Sequence, residues 1–195
     1  MKKALSIATV LSVFLFTYCT QPEAGPAAVP TEPTQEEAVA RGAYLVGVMG
    51  CNDCHSPKRM GPQGPEVIPE TMLSGYPADR PLPEIAVAMG ALEPGWSLFN
   101  PDLTAGIGPW GISFAANLTS DETGIGNWTE EQFRKALTEG KSKGMDGARM
   151  LLPPMPWFNF TNLEENDLKA IFAYLKSTKP VSNVVPAPIP PDQLQ

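Results

Sequence analysis

The stretch that most constrains this chain is Cys51-Asn52-Asp53-Cys54-His55. Two thiols three positions apart share one side of a helical turn, and an imidazole directly after the second is brought beneath whatever the thiols hold. C-x-x-C-H is the attachment signature of c-type haem, in which Cys51 and Cys54 add to the porphyrin vinyl groups and His55 becomes the proximal iron ligand. One covalently attached haem c is therefore expected. Two other chemistries use paired cysteines. A zinc site takes about four Cys, His, Asp or Glu ligands, yet the chain has one histidine and, beyond this pair, only Cys19. A thioredoxin-like pair needs a strand-helix-strand frame, whereas here the flanks read as helical on one side and Gly/Pro-rich on the other.

The N-terminus agrees with that chemistry. Lys2 and Lys3 precede an uncharged apolar run from Ala4 to Tyr18, short for a permanent span, so residues 1–18 read as a secretory signal peptide. Bacterial thioether attachment of haem takes place outside the cytoplasmic membrane, so leader and motif support each other. Cys19 ends the run and resembles a lipoprotein cleavage site, although Tyr18 stands where a small residue is usual. Ordinary cleavage near Ala24, Ala27 or Ala28 is the alternative. The cysteine count favours lipidation of Cys19, with two thiols for haem, one for lipid and none left over. Residues 19–33 then form a flexible Pro/Ala/Glu tether, and residues 34–195 the folded domain. Loss of Lys2 and Lys3 with the leader takes the formal charge from −7 to −9. Such an acidic chain is not a nucleic-acid binder and suits partners with basic docking patches.

The 22 prolines and 17 glycines make a fifth of the chain, which calls for much turn and loop. Three helices interrupt this. Thr34-Gln35-Glu36-Glu37 is a capping box that opens a helix over about Gln35 to Met49, with Val39, Ala43, Val46 and Met49 near one stripe. Gly42 and Gly47 leave room on it for another helix. Thr129-Glu130-Glu131-Gln132 opens a second helix, carrying Phe133, Ala136 and Leu137 inward and ending at Gly140. Thr161-Asn162-Leu163-Glu164 reads as a third box, before Leu168, Ile171, Phe172 and Leu175 at helical spacing. Between His55 and the second helix, residues 56–126 predict a long Gly/Pro-rich insertion without regular structure, save a short helix near Glu84 to Leu92. A stretch this long is normally functional or organised by a cofactor. Its aromatics Tyr76, Trp96, Phe99, Trp110 and Phe114 either line a haem pocket or pack on one another.

With His55 the only histidine, the sixth iron ligand is Met, Lys, water or nothing. Among eight methionines, Met155 stands out in Leu152-Pro153-Pro154-Met155-Pro156-Trp157, where prolines on both sides stiffen the backbone in an extended form. Met150 is the alternative and Met60 a distant third. Ligation by His and Met raises the haem potential and suits electron transfer. For the carbonyl that accepts the His55 Nδ1 proton, Gly61-Pro62 and Gly64-Pro65 are the candidates.

This order of features resembles a class I cytochrome c: a mostly α fold with three main helices around one covalent haem, here with a long loop insertion. More narrowly, Arg41-Gly42-Ala43-Tyr44-Leu45-Val46, the run from Asn117 to Thr129 and Met155-Pro156-Trp157 resemble the cytochrome c subunits of membrane-bound bacterial alcohol and gluconate dehydrogenases. The resemblance implies thioether links at Cys51 and Cys54, iron ligation by His55 and Met155, and haem-side roles for Asn117 and Trp128. Arg149, before the ligand loop, is a candidate partner for a propionate. Those subunits usually carry three haem motifs and this chain carries one.

The reading that follows is a single-haem electron carrier rather than an enzyme, exported to the periplasmic or cell-surface side and tethered to the membrane through Cys19. Its partners are a redox donor and acceptor, including a membrane-bound dehydrogenase or terminal oxidase. The alternatives are an electron-transfer subunit fixed within a larger complex, and a ligand-binding haem protein with an open sixth position.

Overall fold

The helix starts follow from local chemistry. In the computed structural model, which describes residues 32–82 and 95–194, helix α1 (Gln35–Val48) begins at a complete capping box. Thr34 Oγ1 accepts from the Glu37 amide at 3.2 Å, and the Glu37 carboxylate accepts from the Thr34 amide at 2.8 Å. Helix α2 (Cys51–His55) carries the paired cysteines. Helix α3 (Glu130–Glu139) begins at the Thr129–Gln132 box and stops at Gly140, whose φ of 67° is the left-handed turn that glycine adopts without strain. Helix α4 (Glu165–Ser177) buries Leu168, Ile171 and Leu175, with Phe172 half-buried. The signal peptide, Cys19, nearly all of the tether and the helix expected over Glu84 to Leu92 lie outside the described residues.

The third capping box does not form. Glu164 is the N-cap of α4 and makes no side-chain cap bond. The preceding turn draws on the hydroxyl that the box needs and holds the chain beside it: Thr161 Oγ1 donates to the Phe158 carbonyl at 3.4 Å, and the neighbouring Leu163 amide donates to Phe160 at 3.2 Å.

The core is where α1, α3 and α4 meet. Leu45 and Val46 of α1 pack with Phe133 and Leu137 of α3 and with Leu168, Ile171 and Leu175 of α4; Leu73 and Ile125 close the cluster. Gly42 sits against the Ala170 carbonyl and the Tyr174 side chain, so α1 and α4 cross where one lacks a Cβ. Gly47, expected to serve the same purpose, faces open space. Outside the crossing, Arg41 reaches Asp167 through two parallel hydrogen bonds of 2.9 and 3.0 Å.

The stretch after His55 is more regular than its composition predicts. Strands β1 (Lys58–Gly61) and β2 (Gly64–Val67) form an antiparallel hairpin pairing Lys58 with Val67 and Gly61 with Gly64. Strands β3 (Leu98–Phe99), β4 (Ala105–Gly108) and β5 (Gly111–Phe114) form an antiparallel sheet in that order. The expectation of an irregular loop is corrected on this point. The strands carry little period-2 alternation, and two-residue Pro-containing turns with glycine beside them set the pairing, so the pattern that reveals longer strands is absent. The fold is helical at its core with two small sheets beside it.

Gly42→Ala should lower stability by about 1–3 kcal/mol, since the added methyl forces α1 and α4 apart. Gly47→Ala should be neutral or slightly stabilising. Denaturant midpoints followed by helical circular dichroism compare the two, and equal midpoints would refute the close approach at Gly42.

Candidate functional site

Five residues make too short a helix to hold itself, so α2 depends on its surroundings. Gly50 turns into it with φ 71°. Cys51 and Cys54 are half-buried free thiols on successive turns. Burial pushes the Cys51 thiol up to about 11 and raises Cys54 as well. A redox dithiol needs the opposite, a thiol made acidic by its environment. Among the described residues there is no group of three His, Cys, Asp or Glu able to hold a metal ion.

His55 ends α2 with its ring fixed. Nδ1 lies 2.8 Å from the Ala116 carbonyl oxygen, which can only accept, so Nδ1 carries the proton and donates it. Burial pulls the His55 pKa down against the opposing effect of that hydrogen bond, with Lys58 adding to the depression. The imidazole is therefore neutral, and Nε2 keeps a lone pair for an acceptor such as a metal. The acceptor is Ala116 and not the Gly61-Pro62 or Gly64-Pro65 segments, which the β1–β2 hairpin occupies. Nothing in the sequence marks Ala116, because a carbonyl belongs to every residue.

A frame of extended backbone holds the end of α2. The Gly75 amide donates to the His55 carbonyl at 2.8 Å, and the Leu73 amide donates to Ser56 Oγ at 2.8 Å. The same segment pairs onward, Leu118 donating to Leu73 and Tyr76 donating to Ala115. Asn117 locks the next layer. Its Nδ2 donates to the Val181 carbonyl at 2.8 Å and its Oδ1 accepts from the amide and hydroxyl of Thr119. Asn183 does likewise for Ser74 and Tyr76, donating to both carbonyls. The Asn117 amide is thus spent on binding the C-terminal tail to the segment that contains Ala116.

Lys58 and Asp102 complete the frame. Lys58 Nζ donates to the carbonyls of Asp53, Ser56 and Asp102 at 2.7, 3.0 and 2.9 Å, covering the open C-terminal end of α2 with a cation. Asp102 is buried and pairs with Arg80 at 2.9 Å, while Asn100, Thr104 and the Lys58 amide also donate to its carboxylate. Burial pushes the Asp102 pKa up, but the hydrogen bonds from Arg80, Thr104 and Lys58 together outweigh it and bring it down to about 2. Sequence reading missed both residues. The Asn100-Pro101-Asp102-Leu103-Thr104 run was the available signal, as a side-chain-capped turn.

Met155 is half-buried and packs on the hydrophobic cluster together with Cys51, Met49, Trp128 and Phe160. Met150 is 41% exposed and Met60 73% exposed. Cys51, Trp128 and Met155 thus each pack on the same hydrophobic cluster, whereas the other two candidate methionines are exposed. The Met155 loop is a turn, not an extended run, with the Met155 amide donating to Leu152 at 3.2 Å. Arg149 is exposed and donates to the Met150 carbonyl at 2.9 Å. Of the insertion's aromatics, Tyr76 is fully buried against Phe114 with ring centroids 4.8 Å apart, whereas Trp96 is 68% exposed.

Taken with the helical core, this arrangement agrees in kind with the proteins that the chain resembles, the cytochrome c subunits of bacterial fructose, alcohol and gluconate dehydrogenases. The chain is 32% identical over 86% of its length to the fructose dehydrogenase cytochrome subunit of Gluconobacter japonicus, covering 27% of that protein. It is 42% identical over 38% of its length to the alcohol dehydrogenase (quinone) cytochrome c subunit of Gluconobacter oxydans, covering 15% of it. It is 26% identical over 76% of its length to the gluconate 2-dehydrogenase cytochrome c subunit of Pantoea cypripedii, covering 25% of it. The chain spans between 6% and 27% of the length of the curated relatives it matches. No protein-family model matches it.

Cytochrome c relatives imply haem c, and the donor chemistry fits that group. A neutral imidazole with one free nitrogen, two unpaired thiols at the fourth and first positions before it, and a thioether on the cluster that Cys51 also packs on are the donors a c-type haem uses. Among the described residues no helix is long and apolar enough to cross a membrane.

Asp102→Asn should destabilise the fold at neutral pH. A carboxylate held below its ordinary 3.8 contributes stability above that value and loses it as pH falls toward about 2. The gap in denaturant midpoint between parent and variant should therefore close as pH falls from about 4 to about 2. A gap that stays constant through this range would mean that the charge is not its source.

Proposed function

We propose that this chain is a class I c-type cytochrome that carries single electrons, with one haem linked to Cys51 and Cys54 and its iron held by His55 and Met155. The observation that carries the reading is the His55–Ala116 hydrogen bond, which fixes the tautomer in which Nε2 is the metal donor. Its support is the common apolar cluster that Cys51 and Met155 share.

When bound, the haem supplies a one-electron iron couple. The residues do the rest. Ala116 holds the Nδ1 proton of His55, the aliphatic cluster excludes water, and the neutral Met155 thioether would favour a reduced metal held beside it. Trp128 supplies part of the apolar wall, and Arg149 stands near enough to the ligand loop in sequence to meet a propionate. Export and tethering through a lipidated Cys19 belong to the same reading and rest on the leader sequence.

A second form of the reading has its own support. The relatives are named as subunits of dehydrogenases, and each is several times longer than the aligned part of this chain. The single C-x-x-C-H motif fits one haem domain of such a subunit, so the electron donor in this form is a dehydrogenase bound to the chain. Co-purification of a dehydrogenase with the native protein separates a fixed subunit from a free shuttle.

An absorption spectrum of the exported protein tests the ligand set. The parent should be low-spin when oxidised, with a weak far-red sulfur-to-iron band, and should not bind CO when reduced. Met155→Ala should lose the band and lower the potential, whereas Met150→Ala should keep both. A parent that is high-spin and binds CO rapidly overturns the assignment of Met155 and points to an open sixth position.

A further inference from the structure

We propose that Ser113 is a positioning residue for the Met155 thioether, and that the single segment from Ser113 to Ala116 holds both candidate iron ligands in register. This rests on the His55/Met155 reading above.

The argument begins with what the methionine loop lacks. Pro153, Pro154 and Pro156 have no amide proton, and the Met155 amide is used within the turn on Leu152. From Pro153 to Pro156 the main chain can therefore hydrogen-bond to distant parts of the chain only through its carbonyls. Among the described residues one such bond exists. Ser113 Oγ donates to the Pro153 carbonyl at 2.5 Å, and a weaker approach to Gly106 at 3.4 Å is its other acceptor. Ser113 is buried, and Trp110 Nε1 donates to its oxygen at 3.2 Å. A hydroxyl that accepts one hydrogen bond donates the next more strongly.

Three residues further along, the Ala116 carbonyl accepts the His55 proton. The backbone between is pinned on both edges, the Ala115 amide donating to Thr104 and its carbonyl accepting from Tyr76. Behind Ser113, a Cβ on Gly106 of β4 would meet the Phe99 ring at 3.2 Å and Pro154 Cδ at 3.4 Å, so the loop lies alongside the sheet. The three-stranded sheet is thus a bracket whose last strand meets the Met155 loop through Ser113 and whose continuation meets His55 through Ala116.

The test compares the purified holoproteins of the parent, Ser113→Ala, Ser113→Thr and Trp110→Phe, titrating the oxidised forms with imidazole while following the far-red band. Ser113→Ala should be displaced by about five- to tenfold less imidazole than the parent, the effect of one buried hydrogen bond. Ser113→Thr, which keeps the hydroxyl, should return to within about twofold of the parent. Trp110→Phe should shift by about twofold to threefold, and it carries the test if Ser113→Ala does not accumulate. Imidazole affinities equal to the parent in Ser113→Ala, or in Trp110→Phe where that variant stands in, overturn the role of Ser113. Failure of Ser113→Thr to recover overturns it too, because volume and not the hydroxyl would then be at work. A parent that shows no far-red band overturns the His55/Met155 reading itself, and this inference with it.

Discussion

The hydrogen bond from His55 to the Ala116 carbonyl is the interaction on which the rest of the arrangement depends. It joins residues 61 positions apart and decides which imidazole nitrogen keeps a lone pair. A five-residue helix has almost no stability of its own, because nucleation fixes several backbone angles for one hydrogen bond. What keeps α2 in place is therefore tertiary. Its end is tied down by Gly75 on the His55 carbonyl, by Leu73 on Ser56, and by the Lys58 ammonium over three carbonyls. Leu73 accepts a left-handed φ of 63° to make its bonds while fully buried, a conformation that costs a β-substituted residue about 1–2 kcal/mol.

That frame explains how a chain so rich in proline and glycine holds a defined shape around the motif. Long ladders are absent from residues 68–82 and 115–128, and side chains take over the pairing of the backbone. Asn117, Asn183, Ser120 and Asp102 each bond main-chain groups far from them in sequence. Leaving any of these buried partners unpaired costs more than the bond itself contributes, so the frame resists partial opening. The aliphatic core between α1, α3 and α4 supplies the nonspecific stabilisation, and the asparagines and Asp102 specify where the loops go.

The sequence made the helices and the motif legible because their signals are local. Thr34 with Glu37 and Thr129 with Gln132 act within one turn, and both boxes form. Thr161 and Glu164 have the same spacing, but the turn after Phe158 competes for the hydroxyl, and the local pattern holds no record of that competition. Gly42 and Gly47 look alike in sequence, and only the register of α4 distinguishes them. The strands between Lys58 and Phe114 were missed for lack of alternation. Ala116 was missed for a deeper reason, since its function lies in a backbone group. Met155 could be singled out from its prolines, whereas Ser113, which anchors the loop, has no neighbour that announces it.

The distribution of these anchors bears on what the site is suited to do. A protein that exchanges ligands at a metal benefits from a distal loop able to swing away, whereas one that only passes electrons benefits from donors that stay in place in both oxidation states. Here the loop around Met155 is stiffened by Pro153, Pro154 and Pro156 and fastened by Ser113, and the residues before it are zipped to the end of α3 through Lys141 with Met150 and Gly140 with Leu151. His55 in turn is fixed by Ala116, and Ala116 by the Asn117 clasp on the C-terminal tail. Both candidate ligands proposed above are therefore tied to one strand and its continuation, which preorganises them. That is the arrangement expected of an electron carrier, and under the proposed reading it makes the sheet that follows the C-x-x-C-H motif a support of the site and not an ornament on it.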